Sequence, residues 1–179
     1  MLQTADSIVV LIDVQGKLAE LMYDKQRLYL QLLMLLRGAR ILKIPILWLE
    51  QYPQGLGPTV PEIAAVLADL EPIDKTSFSA CGSPRFQQAL QDSGRKSVVV
   101  AGIESHVCVY QTARDLLTEG YRVEVVADAV SSRTVDNRQA GLQRMARLGA
   151  GMMSTEMLLF EWLRESGSAD FKEISRLVR

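Results

Sequence analysis

Residues 7–12, SIVVLI, form an unbroken apolar, β-branched run. Such a run predicts a strand covered on both faces. IPILWLE (44–50), KSVVVAGI (96–103) and YRVEVVAD (121–128) read the same way, and LEPIDK (70–75) and AGMMS (150–154) read as weaker, shorter strands. Between them the apolar spacing turns helical. A long helix is predicted over 24–43 and a shorter one over PEIAAVLADL, with Pro61 near its start. SPRFQQALQDSG is a helix with Ser83 as N-cap, Pro84 at its first position and Gly94 as its stop. SHVCVYQTARDLLTEG and VDNRQAGLQRMARLG follow, and TEMLLFEWLRE and ADFKEISRLV close the chain. Residues 51–61, QYPQGLGPTVP, hold three prolines and two glycines and are read as loop.

Strands that alternate with helices imply right-handed crossovers and a parallel sheet. The expected fold is α/β: a Rossmann-like three-layer sandwich. Its mostly parallel sheet has about six strands in the order 3-2-1-4-5-6, with helices on both faces. No interior linker interrupts the pattern, so residues 1–179 are read as a single domain.

Composition narrows the function classes. Twenty Lys and Arg stand against 21 Asp and Glu, with no basic stripe, so no nucleic-acid partner is expected. The longest apolar tract, LYLQLLMLL, is too short to span a bilayer, and no membrane partner is expected. The start of the chain, MLQTADSIVVLIDVQG, lacks the basic opening of a signal peptide. Two cysteines are too few for a disulfide framework and fit a reducing cytoplasm. One histidine, His106, rules out most histidine-rich metal sites, so neither a metal nor another cofactor is expected.

The stretch VVVAGIESHVCVYQTARDLL places Cys108 one turn beyond a strand end, where a helix begins. Ligands of open parallel sheets bind beyond the carboxyl ends of the strands. A thiol at a helix start faces unpaired backbone N–H groups and the positive end of the helix dipole, which can lower its pKa. The same N–H groups can hold an oxyanion. Two other strands end in chemistry-bearing residues: Asp13 after IVVLI, and Lys75 at the end of LEPIDK. With the strand order above, Asp13 and Cys108 sit on neighbouring strands. Lys75 starts two strands away from Asp13, about 10 Å, which a lysine arm can largely cover.

Each residue has a bland reading. A lone cysteine is usually buried and inert, a post-strand aspartate often caps a turn, and a lysine is usually solvated. Their coincidence at three strand ends on one sheet edge outweighs those readings.

The blocks LIDVQ, KTSFSAC, VVVAGIESHVCVYQTARDLLTEGY and VVADAVSSR resemble the isochorismatase-like cysteine hydrolases over nearly the whole chain. The resemblance implies a catalytic triad of Cys108, Asp13 and Lys75. It also implies a cis peptide at Ile103–Glu104, with the backbone N–H groups of Glu104 and Cys108 forming the oxyanion hole. The metal-dependent nicotinamidase branch uses an Asp-x-His pattern and a further histidine, which this chain lacks. The resemblance is to the uncharacterised hydrolase branch, and the expected reaction is cleavage of a small amide-type C–N bond through a thioester. The alternative is a non-catalytic or redox-active small-molecule-binding protein on the same fold.

Trp48, Gln51, Phe78, His106 and Tyr110 are the candidates for the walls of a small-molecule substrate pocket. Glu50 also lies at a strand end, and Cys81 is expected to be structural. The helix DKQRLYLQLLMLLRGARIL is apolar around most of its circumference, and TEMLLFEWL offers Phe160 and Trp162 as anchors. Such an excess of apolar surface needs a cover, and a homo-oligomer supplies one.

Overall fold

In SIVVLI successive side chains point to opposite sides of the sheet, so the one run feeds two cores. The computed structural model, which describes residues 1–179, shows this division directly. Val9 and Leu11 enter one core, and Ile8, Val10 and Ile12 enter the other. Six strands, β1 (Ser7–Ile12), β2 (Ile46–Gln51), β3 (Ile73–Lys75), β4 (Ser97–Ile103), β5 (Arg122–Ser131) and β6 (Gly151–Met153), form one sheet. Every pairing is parallel and the order is β3-β2-β1-β4-β5-β6. The fold class expected from the sequence is therefore the observed one.

The helices are α1 (Gly16–Glu20), α2 (Lys25–Ile41), α3 (Pro53–Leu56), α4 (Pro61–Ala64), α5 (Pro84–Asp92), α6 (Cys108–Thr118), α7 (Val135–Arg147), α8 (Thr155–Leu163) and α9 (Phe171–Leu177). The first core receives Leu28, Leu32, Leu35 and Leu36 from α2 and Leu158, Leu159 and Trp162 from α8. The second receives Phe86 and Leu90 from α5, Val109, Ala113 and Leu116 from α6, and Met145 from α7. Each such fully buried side chain contributes about 1.5–3 kcal/mol through removal from water.

Several boundaries differ from the sequence reading. The 51–61 segment is not all loop: Pro53, with φ fixed for a first helical position, starts α3, and Gly57 at φ 79 ends it. The segment 61–70 makes only α4 and a short 3-10 turn, Ala65–Leu67. The fifth strand continues past Asp128 to Ser131 because its register on β4 shifts between Val100 and Gly102. Arg138 bridges that irregularity, donating from Nε to the Val130 carbonyl at 3.1 Å and from Nη2 to the Ala127 carbonyl.

The apolar excess of α2 has its cover within the subunit, because α2 packs against α8 and α9. Trp162 is buried there, its Nε1 donating to Ser7 Oγ at 3.0 Å, so it is not free to anchor a partner. Leu30, Met157 and Phe160 remain exposed. No helix is long and apolar enough to cross a membrane.

Candidate active site

Four strand ends converge because of two registers. Ile12 lies opposite Gly102 at the ends of β1 and β4, and Gln51 lies opposite Lys75 at the ends of β2 and β3. Gly102 has φ +115, and a Cβ on it would come within 2.1 Å of the Ile12 carbonyl oxygen. Only glycine lets the two central strands approach this closely beside the next residue, Asp13. Asp13 itself takes a left-handed backbone, φ 52, a conformation that aspartate adopts more readily than most residues. It turns the chain sharply out of β1 into α1.

Lys75 crosses the gap between its strand and Asp13, as its reach allows. Its Nζ donates to Asp13 Oδ2 at 2.7 Å, with the two side chains 0% and 2% exposed. The ammonium also faces Gln51 Oε1 at 2.7 Å and the carbonyls of Phe78 and Ser77 at 3.1 and 3.2 Å. Four oxygens thus surround the three donor hydrogens of the buried ammonium. Burial pushes the Asp13 carboxyl above its ordinary range, against the opposing pull of Lys75. Glu50, buried in β2 with Oε1 accepting from the Thr59 N–H at 2.6 Å, adds a further upward push.

The second oxygen of Asp13, Oδ1, is buried with no hydrogen-bond partner in the protein. The nearby Cys108 thiol also draws the carboxyl downward, after Lys75. Cys108 begins α6 and is 8% exposed. Burial first, and then the Asp13 charge, push its thiol up to about 12, while Lys75 pulls it down. The lowering expected from a helix start is thus outweighed, because the thiol is more enclosed than a helix start alone implies. Cys81, half-buried beside Glu119, is also pushed up to about 12, with burial the larger cause.

The turn between β4 and α6 is tightly held. The Ile103–Glu104 peptide bond is cis. Glu104 Oε2 accepts from the backbone N–H and Nε of Arg133 at 3.0 and 3.2 Å. Ser105 Oγ and Ser132 Oγ lie 2.6 Å apart, and His106 Nδ1 is 3.0 Å from the same Ser132 hydroxyl. Gly141 lets α7 lie against this turn, since a Cβ there would come within 2.5 Å of the Ser105 carbonyl oxygen. The Glu104 carbonyl accepts from Val107 and Val109, while the N–H groups of Glu104 and Cys108 donate to no acceptor in the protein.

The pocket candidates separate. Trp48 lies in the α2-side core, its indole donating to Thr59 Oγ1 at 2.8 Å, so it packs the sheet instead of walling a pocket. Tyr110 points toward α7: Arg144, and then Arg114, hold its hydroxyl below the ordinary tyrosine range. Gln51 and His106 are half-buried and hydrogen-bonded within the protein. Phe78 reaches the triad through its carbonyl while its ring is exposed. Gln15 was not anticipated. Fully buried just after Asp13, it donates to the Gly57 and Gln51 carbonyls at 2.7 and 3.1 Å and accepts from the Gln51 N–H at 2.6 Å. Its only sequence signal was adjacency to the strand end in LIDVQ.

A cavity of about 300 Å³ opens beside Lys75, between Tyr52–Gln54 and Gly82–Pro84. Another of similar size lies away from the triad, between Tyr23 and Arg27 at the start of α2 and Arg138 of α7. No three His, Cys, Asp or Glu side chains are grouped to hold a metal ion.

A thiol, a carboxylate and an ammonium on one sheet edge, beside two unpaired N–H groups, can be compared with known proteins. Residues 7–157 match the isochorismatase domain family. The chain belongs to that family. It is 40% identical over 174 residues to isochorismatase domain-containing protein 2 of Bos taurus, covering 97% of this chain and 83% of that protein. The structure of the MAR1 ribonuclease from Caenorhabditis elegans aligns with a TM-score of 0.92 at 37% identity, over 99% of this chain and 91% of that one. The YcaC gene product of Escherichia coli, described as an octameric hydrolase of unknown specificity, aligns with a TM-score of 0.93 at 27% identity, over 98% and 88%.

Proposed function

We propose that this isochorismatase-like protein hydrolyses a small amide-type C–N bond through a thioester on Cys108, with Asp13 and Lys75 completing the triad. The observation that carries the reading is the buried Lys75–Asp13 pair, whose second carboxylate oxygen has no partner in the protein and whose charge acts on the Cys108 thiol. In the resting site the thiol is protonated, and Asp13, raised by burial, is a stronger base than an exposed carboxylate.

Asp13 Oδ1 takes the thiol proton as the sulfur attacks the substrate carbonyl. The carbonyl electrons move to oxygen, and the oxyanion rests on the free N–H groups of Glu104 and Cys108. Collapse of that intermediate breaks the C–N bond. Asp13 returns its proton to the departing amine, leaving an acyl group on sulfur. A water molecule then gives a proton to Asp13 and attacks the thioester; the C–S bond breaks, a carboxylic acid leaves, and Asp13 returns the proton to the sulfur, which restores the thiol. Lys75 opposes the upward push of burial on Asp13, favouring its ionised form whenever it must accept a proton, and adds positive potential at the sulfur.

The balance of 20 basic against 21 acidic residues supports a small substrate over a polynucleotide. Two free cysteines fit a cytoplasmic protein. The exposed Leu30, Met157 and Phe160, together with the octameric likeness, support a homo-oligomer. The experiment is a screen of small primary and N-substituted carboxamides, following ammonia or amine release, with a single-stranded RNA as a parallel arm. Amide turnover that disappears in Cys108→Ala is expected. RNA cleavage without amide turnover would overturn the reading.

A further inference from the structure

We infer that Gln51 is a positioning residue for Lys75: its amide fixes the ammonium against Asp13 without itself touching substrate. The inference rests on the triad reading above, and its test needs no substrate.

The two ends of the Gln51 amide have different partners, which fixes its orientation. Nε2 donates to the Thr76 carbonyl at 2.7 Å, so Oε1 is the end that faces Lys75 Nζ at 2.7 Å. An amide turned the other way would aim N–H groups at a cation. The backbone of Gln51 is anchored in turn. Its N–H donates to Gln15 Oε1 at 2.6 Å, and its carbonyl accepts from Gln15 Nε2 at 3.1 Å. Gln15 is fully buried and is held from the far side by Gly57. A chain of fixed amides thus runs from the turn after Asp13 through β2 to the ammonium on β3. Asp13 holds one side of Nζ and Gln51 another, and the carbonyls of Ser77 and Phe78 close the cage.

A lysine side chain has four rotatable bonds and a spherical charge, so a single carboxylate does not fix where the charge lies. The second side-chain acceptor does. A neutral acceptor also leaves the whole of the positive charge to act on Asp13 and the sulfur. A carboxylate at position 51 would fit the same space but would neutralise the ammonium and lose the bond to Thr76.

The test is the rate at which iodoacetamide labels Cys108, read against Cys81 in the same molecule by peptide mapping at pH 8–9. The charged groups around the sulfur are Asp13, Lys75 and Glu104. Glu50 faces Asp13, Arg133 pairs with Glu104, and His106 lies on the same turn, held to Ser132. Cys81 has Glu119 and Asp115 as its charged neighbours, so it reports changes unrelated to Lys75. In Gln51→Glu the Cys108-to-Cys81 labelling ratio falls about threefold. Roughly one unit of rise in thiol pKa cuts the thiolate tenfold, and the higher nucleophilicity of a more basic thiolate restores part of it. Gln51→Met, neutral and of similar length, lowers the ratio in the same direction by less.

If Gln51 served only to pack the strand ends, either variant would loosen the site, expose Cys108 and raise the ratio. A ratio that rises or stays unchanged in a cooperatively folded variant overturns the inference. If Gln51→Glu does not fold, Gln51→Met decides alone. A protein that hydrolyses no amide but shows the fall in labelling keeps the inference and loses the proposed reaction.

Discussion

Lys75 Nζ lies 2.7 Å from Asp13 Oδ2, with both side chains sealed from solvent. A buried pair of this kind is worth little as a stability device, but removing one partner leaves the other charge uncompensated. Lys75→Ala is expected to lower turnover on an active amide by about 10²–10⁴-fold. It is also expected to cost about 3–5 kcal/mol of stability at neutral pH. Urea unfolding beside the kinetic assay checks both. A Lys75→Ala protein with wild-type stability and rate would remove the pair from the account.

The raised carboxyl of Asp13 has a thermodynamic consequence. A carboxyl whose folded pKa lies above its unfolded value binds more protons in the folded state between the two. Its contribution is intact below the ordinary carboxylate value and is lost as pH rises through the raised one. Asp13→Asn removes that loss. As pH rises above the ordinary carboxylate value of about 4, the slope of unfolding free energy against pH is therefore expected to be more positive in Asp13→Asn than in the parent. An identical slope in both proteins would mean that Asp13 is not raised.

The same aspartate pushes the Cys108 thiol upward, after burial itself. Removing its charge should make the sulfur easier to ionise even as it destroys the base. Asp13→Asn is expected to label with iodoacetamide several-fold faster at pH 8 while losing amide turnover. Labelling of the parent should climb through pH 9 without a plateau, because the thiol is pushed up to about 12. A plateau near neutral pH would show a preformed thiolate instead.

Gly102 tests the architecture behind the chemistry. A Cβ there meets the Ile12 carbonyl oxygen at 2.1 Å, and φ +115 is a conformation that side chains oppose. Gly102→Ala is expected to cost at least 1–3 kcal/mol, as overpacking and a strained backbone each do. It should also displace the start of the Asp13 turn and depress turnover. Gly120→Ala serves as the control: it shares positive φ, but nothing lies within 4 Å of its Cβ.

Self-association is expected to survive the finding that α2 is covered within the subunit. The large apolar side chains of α2 and α8 that remain exposed are Leu30, Met157 and Phe160. Light scattering after gel filtration should give a mass at least twice the 19.9 kDa of one chain. A stable monomer at micromolar concentration would contradict it.

The placing of Asp13, Lys75 and Cys108 at strand ends was legible because SIVVLI before Asp13 and VVVAGI before Cys108 read as buried strands, while Lys75 ends the weaker segment LEPIDK. Periodicity places such residues on one sheet edge without knowledge of any contact. It is blind to direction once the chain leaves the strand. Trp48 lies within a strand, and period two alone does not tell which face of a doubly covered sheet leads toward the pocket. Tyr110 lies two residues past Cys108 beside Arg114, one turn on, and Arg144, more than thirty residues away on α7 and in none of the quoted blocks. Gln15 and the short helix α3 act through backbone hydrogen bonds, which leave almost no compositional trace. The oversupply of leucine on α2 was visible, but its cover came from α8 and α9, more than a hundred residues away.

The most direct test of the central claim is to look for the acyl group on sulfur. An amide that proves active, or a chemically activated ester of its acid, is mixed with the protein, quenched in acid within the first turnovers and digested for mass spectrometry. The account predicts the mass of the acyl moiety on the peptide carrying Cys108, its loss on longer incubation in water, and neither adduct nor turnover in Cys108→Ala. Amide hydrolysis that persists in Cys108→Ala within tenfold of the parent rate, or an acyl group found on Cys81 alone, would contradict it.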